Sequence, residues 1–172
     1  MIDSNTKMTR RSFLGTVGTL TSAMLLAPRL LPAGESRTLV RTIPSSGEPL
    51  PVMGMGTSRT FDIDGDPGAM VQLAQVLEQF FAHGGRLIDS SPMYGSAENT
   101  VGELLNRVGG NPDWFAATKV WIDGRAAGIA QMERSMRRMG VDRIDLMQIH
   151  NLRDWKTHLP VLREWKQQGR IR

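Results

Sequence analysis

A parallel α/β architecture is the fold that this 172-residue sequence predicts, and two observations predict it. Short apolar runs alternate with amphipathic helical stripes in the order βαβαβαβα. The strand runs are apolar throughout rather than alternating, as in strands covered on both faces. From the residues alone this pattern fits either a doubly wound sheet or a barrel. Four βα units are about half of what an eight-unit barrel of ~250 residues needs.

The elements follow in order from Leu39. Residues 39–43, a glycine-containing turn over 44–48 and residues 49–52 predict a β-hairpin. Residues 52–57 predict a short buried strand whose glycines allow close backbone approach. Pro67-Gly68 opens a helix in which Met70, Leu73, Ala74, Leu77, Phe80 and Phe81 recur at helical spacing, and Gly84-Gly85 stops it. Residues 86–89 predict the second strand. Ser96 is expected to cap the next helix, with Glu98 and Glu103 in its early turns and Val101, Leu104 and Leu105 inward. Residues 114–120 predict a third strand. Ile129, Met132, Met136 and Met139 mark a third helix, stopped by Gly140. Residues 144–150 predict the fourth strand, and Leu159, Leu162 and Trp165 a last helix ended by Gly169.

The first 33 residues read as an address rather than structure. Thr9-Arg10-Arg11-Ser12-Phe13-Leu14 precedes a mildly apolar run of ~15 residues, too short and too rich in Gly, Ser and Thr for a stable membrane span. The arginine pair resembles a twin-arginine signal, which implies export of the folded chain by the twin-arginine translocase to the periplasm. Leu31-Pro32-Ala33 has the small-residue character of a cleavage site. The expected organisation is therefore a signal peptide over residues 1–33 and a domain over residues 38–172.

Charge and composition narrow the function. The net charge is +4, but Lys7, Arg10, Arg11 and Arg29 stand against Asp3 alone in the address segment. The remainder is near neutral, with acids and bases interspersed, so nucleic acid is not the partner. The absence of cysteine removes thiolate nucleophiles, disulfides and cysteine-ligated metals. Three scattered histidines do not make a metal site. His83 reads as a helix-end residue, His158 as a surface residue, and the methionines as core filler.

Chemistry gathers at the carboxyl ends of the expected strands, where barrels build active sites. Asp89 ends the second strand with Tyr94 five residues on, Lys119 ends the third and His150 the fourth. A lysine cation held by a carboxylate eases proton loss from a nearby phenol, and such a phenol can protonate a carbonyl oxygen. An imidazole can orient the same carbonyl. The set holds no reductant, so a hydride must come from a cofactor.

Three stretches make the pattern specific: residues 87–98 around Asp89 and Tyr94, residues 117–121 around Lys119, and residues 147–151 around His150. Each resembles a motif of the aldo/keto reductase family, and residues 54–57 and the hairpin resemble that family's first barrel strand and barrel plug. The resemblance implies the N-terminal half of a (β/α)8 TIM barrel and reduction of an aldehyde or ketone with hydride from NADPH. It implies Tyr94 as proton donor, Lys119 as the cation beside it, Asp89 as the holder of Lys119 and His150 as the group that positions the carbonyl. Gly56, Thr57, Asp89 and Asn151 would approach the cofactor, and Trp121 would wall the substrate pocket. The chain is expected to be truncated before strand five, since the family's pyrophosphate and adenosine contacts come after strand four. A half-barrel exposes unpaired parallel edges. The alternative is therefore a catalytically incomplete half that serves as a binding or assembly module, or a truncated fragment without activity. A third reading, an Asp/Lys/His barrel enzyme without nicotinamide, is disfavoured by the spacing around Tyr94.

Overall fold

The computed structural model describes residues 38–109 and 113–172, so the signal segment expected over residues 1–33 lies outside the described residues. The chain opens with the expected hairpin. Strand β1 (Val40–Thr42) pairs antiparallel with β2 (Pro49–Pro51), Val40 opposite Pro51 and Thr42 opposite Pro49. Proline at both ends of β2 suits a two-stranded ribbon, where a missing amide hydrogen breaks no central ladder.

Strands β3 (Met55–Gly56), β4 (Leu87–Asp89), β5 (Phe115–Val120) and β6 (Leu146–Ile149) form one parallel sheet, in that order, among the described residues. Helices α1 (Pro67–Ala82), α2 (Ala97–Arg107) and α3 (Arg125–Met139) make the crossovers. A single 3-10 turn (His150–Leu152) then leads from β6 into α4 (Trp155–Gln167). After α4, Ile171 bridges Ile144 in parallel. This is the expected series of βα units, except that the first strand, expected to be buried over residues 52–57, is confined to Met55–Gly56 and preceded by exposed Val52 and Met53. Among the described residues no helix is long and apolar enough to cross a membrane.

Arg86, just before β4, ties the hairpin to the sheet. Its guanidinium donates to the carbonyl of Pro49 at 3.2 Å and to Glu48 at 3.0 Å. The hairpin therefore lies at the amino-terminal end of β4, away from the strand ends where Asp89 and Lys119 stand.

The helices end where their sequence says they should. Asp66 caps α1 by accepting the Ala69 N–H at 2.7 Å, with Pro67 in the first turn. His83 closes the helix as expected, its Nδ1 donating to the Gln79 carbonyl at 2.8 Å. Gly140 ends α3 at φ 68°, a conformation that suits glycine. Ser96 departs from expectation. It occupies the N-cap position of α2, but its hydroxyl makes no capping bond to the helix. Instead the hydroxyl donates to Asp62 at 3.1 Å and accepts the Asp64 N–H at 3.0 Å. Asp62 also accepts the Ser96 N–H at 2.9 Å, so a carboxylate from the loop between β3 and α1 stands at the start of α2.

Two apolar clusters pack the helices onto the sheet. Phe61, Met70, Leu77, Ile88, Val101 and Leu104 form one under α1 and α2. Val120, Met132, Met139, Ile144, Val161 and Trp165 form the other under α3 and α4. Each such side chain, fully buried, stabilises the fold by about 1.5–3 kcal/mol. Met70, Met132, Met136 and Met139 are buried filler, as expected. His158 corrects the surface reading: it is fully buried, and its Nε2 donates to the Ile122 carbonyl at 2.6 Å. The inward face of α4 runs through His158, Val161, Leu162 and Trp165, one residue round from the predicted Leu159 stripe.

Candidate active site

Register decides which side chains meet. Gly56 pairs with Asp89, Asp89 with Ala117, and Lys119 with Gln148. Paired residues in a parallel sheet point the same way, and residues two apart share a face. Gly56, Asp89, Lys119 and Gln148 therefore line one face of the sheet near its carboxyl-terminal edge. The alternate residues Ile88, Ala116, Thr118 and Val120 point to the other face and are fully buried or nearly so.

On the site face the Lys119 ammonium is the hub. Its Nζ donates to Asp89 Oδ2 at 2.6 Å and to the Ser90 carbonyl at 2.7 Å. The second carboxylate oxygen, Asp89 Oδ1, accepts from Gln148 Nε2 at 2.8 Å. Both oxygens are thus engaged, and the carboxylate cannot swing away from the lysine. The Lys119 side chain is 10% exposed and that of Asp89 31%, so this pair stands at a mouth rather than in the deep core.

Tyr94 sits above the hub, with Lys119 Nζ 5.1 Å from its ring centroid. The loop carrying Tyr94 is built tightly. The Tyr94 N–H donates to the Ser91 carbonyl at 3.0 Å, and the next residue, Gly95, has φ 58°. A Cβ on Gly95 would lie 2.1 Å from Asp62 Oδ1, so only glycine lets Tyr94 and the Asp62 cap coexist. His150 follows β6 directly. Its ring meets Tyr94 edge-on at a centroid distance of 6.1 Å and Trp121 at 6.4 Å. Ser91 Oγ lies 3.5 Å from His150 Nδ1, a long contact. Asp89, Tyr94, Lys119 and His150, anticipated from four separate positions, therefore gather into one cluster. Trp121 borders it.

The remaining anticipated residues differ in what they present. A Cβ on Gly56 would meet nothing within 4 Å, so the backbone there faces open space. Thr57 is fully buried; its N–H and hydroxyl donate to the Asp89 carbonyl at 3.1 Å, and its hydroxyl also contacts Ser90 Oγ at 2.9 Å. Its side chain therefore braces the strand end rather than reaching outward. Asn151 is exposed at φ 55° beside His150.

One contributor escaped the sequence reading. Gln148 fixes Asp89, and the signal was a polar residue two before His150, hence on its face, in an otherwise apolar strand. Glu98 is 1% exposed and accepts the Thr118 hydroxyl at 2.7 Å on the far side of β5. A cleft of about 560 Å³ bordered by Gly140, Asp142 and Arg170 lies at the opposite end of the sheet. It adjoins the connections that enter strands, where barrels keep stability rather than chemistry, and so it is not the candidate site.

With this geometry in place, comparison with known proteins is informative. The family model described as the aldo/keto reductase family matches residues 52–172. An aldo-keto reductase of Strobilurus tenacellus is 34% identical over 93 residues, covering 51% of this chain and 27% of the relative. A solved protein from Pseudomonas aeruginosa, described as an aldo-keto reductase, superposes with a TM-score of 0.66 at 29% identity, over 77% of this chain and 57% of that one. A solved aldo-keto reductase complexed with NADPH gives a TM-score of 0.51 at 25% identity, over 65% and 36% of the two chains. This chain thus spans little more than a quarter of the curated relative and just over half of the Pseudomonas structure. Fold, motif order and family match agree: the chain belongs to the aldo/keto reductase family.

Proposed function

We propose that this protein reduces an aldehyde or ketone with NADPH, using Tyr94 as the proton donor. The single observation that carries the reading is the Lys119 ammonium, anchored at 2.6 Å on Asp89 and 5.1 Å from the Tyr94 ring. A phenol beside a fixed cation can release its proton to a carbonyl oxygen as negative charge builds there, because the cation stabilises the phenolate left behind. Asp89 and Gln148 keep Lys119 in place. His150, edge-on to Tyr94 and Trp121, orients the carbonyl, and Trp121 forms a wall for the substrate's body.

NADPH, when bound, supplies the hydride for the carbonyl carbon. The residues present fit its nicotinamide side. Gly56 leaves bare backbone facing open space, against which a flat ring can lie, and exposed Asn151 adjoins His150. Thr57 and Asp89 would act indirectly, since their polar atoms already bind Ser90, Lys119 and Gln148. Support for the cofactor also comes from the related fold solved with NADPH.

Tyr94→Phe tests the chemistry. It should lower carbonyl-dependent NADPH oxidation by about 10²–10⁴-fold, the range for a lost general acid, while NADPH affinity measured by fluorescence stays unchanged. A variant that reduces carbonyls at the parent rate would remove Tyr94 from the mechanism. We also propose export to the periplasm through the twin-arginine translocase, on the strength of Arg10-Arg11 and the run that follows. Replacing both arginines with lysine should retain the protein in the cytoplasm on cell fractionation. Unchanged export would reject the twin-arginine route.

A further inference from the structure

We infer that Arg153 is a positioning residue of this site, holding the Trp121 indole against His150. The inference rests on the reading of Trp121 as a wall of the substrate pocket. The guanidinium centre of Arg153 lies 4.9 Å from the Trp121 ring centroid, and the same indole meets the His150 ring at 6.4 Å. Trp121 is therefore the middle member of a three-residue contact running from the Arg153 guanidinium through the indole to the His150 ring.

Arg153 is itself held in one orientation. Its Nε donates to Asp123 Oδ1 at 2.9 Å and its Nη2 to Asp123 Oδ2 at 2.7 Å, a two-pronged fork that fixes the guanidinium plane. These bonds hold the Asp123 carboxyl below its usual range and the Arg153 guanidinium above its own. The Arg153 and Asp123 side chains are 37% and 67% exposed, and exposed pairs add little to stability. A well-made fork at such a site does more for orientation than for the fold, and the group it orients is an aromatic face.

The backbone around the stack is also pinned. The Trp121 N–H donates to Gln131 Oε1 at 2.6 Å, which fixes the chain but leaves the indole to its ring contacts. Asp154 accepts the Gly124 N–H at 2.8 Å, and buried His158 holds the Ile122 carbonyl at 2.6 Å. Residues 121–124 are thus stapled to the segment after His150. That segment holds Asn151 and Leu152 at φ 55° and Asp154 at φ 47°. Leucine is poorly suited to the left-handed region, so such backbone persists only where surrounding contacts impose it. The staples supply those contacts, and Arg153 lies inside the strained run, aimed at Trp121.

The test uses the full chain and needs no cofactor. In ¹H–¹⁵N spectra the Trp121 indole signal is identified by its loss in Trp121→Phe. Arg153→Ala should move that signal and the His150 ring signals, while Trp114 and Trp165 stay put. The melting temperature should stay within about 4 °C of the parent, as expected for loss of an exposed pair. Arg153→Lys keeps the charge but loses the fork and the planar stack, so it should move the same two sets of signals. In a Trp121→Phe background, Arg153→Ala should move His150 less than half as far, because the connecting indole is gone. Unmoved Trp121 and His150 signals in both Arg153 variants would overturn the inference, as would a His150 shift of full size without Trp121. If Arg153→Ala disturbs all four indoles, Arg153→Lys decides. None of these readouts depends on reduction, so failure of the reductase reading shows separately in Tyr94→Phe.

Discussion

Thr118 and Lys119 are neighbours on β5, yet the carboxylates they meet live under different conditions. Lys119 points to the site face, where Asp89 is 31% exposed and fixed by two side chains at 2.6 and 2.8 Å. Thr118 points to the helix face, where Glu98 is 1% exposed, accepts one hydroxyl at 2.7 Å and has Arg138 only at 3.5 Å. The open carboxylate has a full charged partner, while the closed one relies on a neutral donor, a distant cation and its place in the first turn of α2. A charge that must act on a bound molecule has to stay near the mouth with its partner fixed. A charge that only joins elements can be sealed in where its hydrogen bonds suffice. On the proposed mechanism the alternation of one strand thus divides function from structure.

The strongest way to break this comparison is Lys119→Met, which keeps an apolar stem and removes the cation. On the proposed mechanism carbonyl reduction should fall by about 10²–10⁴-fold, since proton release at Tyr94 would lose its supporting charge. Stability should change less than it does for Glu98→Ala, because Asp89 keeps Gln148 and has access to water. Steady-state turnover at saturating NADPH, with a urea titration beside it, measures both. Turnover preserved in Lys119→Met would mean that the site face and the helix face do not differ in the way described.

Most of the framework was legible because it depends on periodicity. The apolar runs and the stripes through Met70, Leu77, Met132 and Met139 are properties of single segments, and strand ends locate Asp89, Lys119 and His150 without any partner being known. What escaped depends on pairs of segments. Ser96 stands where a cap belongs, yet its hydroxyl is drawn to Asp62 and Asp64 of another loop. Gln148 matters only because register sets it beside Lys119. His158 illustrates a milder failure, because it lies on the apolar stripe of its own helix, as does Glu98 in the first turn of α2. His158 precedes Val161, Leu162 and Trp165 at helical spacing, and Glu98 precedes Val101 and Leu105. For His158 polarity argued for the surface and position for the interior; position won, because a buried polar side chain is tolerated where it finds a hydrogen-bond partner across the interface, as both do.

The smaller and finer test lies on the closed side. Glu98→Ala should cost about 2–3 kcal/mol, because it leaves the buried Thr118 hydroxyl without its acceptor. Glu98→Gln should cost only about 1 kcal/mol, since the amide oxygen still accepts that hydroxyl and only the charge toward Arg138 is lost. The ordering follows from geometry: the bond at 2.7 Å is the structural one and the contact at 3.5 Å is marginal. Urea midpoints rank the two variants, and neither should alter turnover more than a few-fold, because the Lys119 hub lies on the other face of β5. If Glu98→Gln proved as costly as Glu98→Ala, the Arg138 contact would be the important one. The closed carboxylate would then also depend on a cation, and the contrast with Asp89 would reduce to exposure alone.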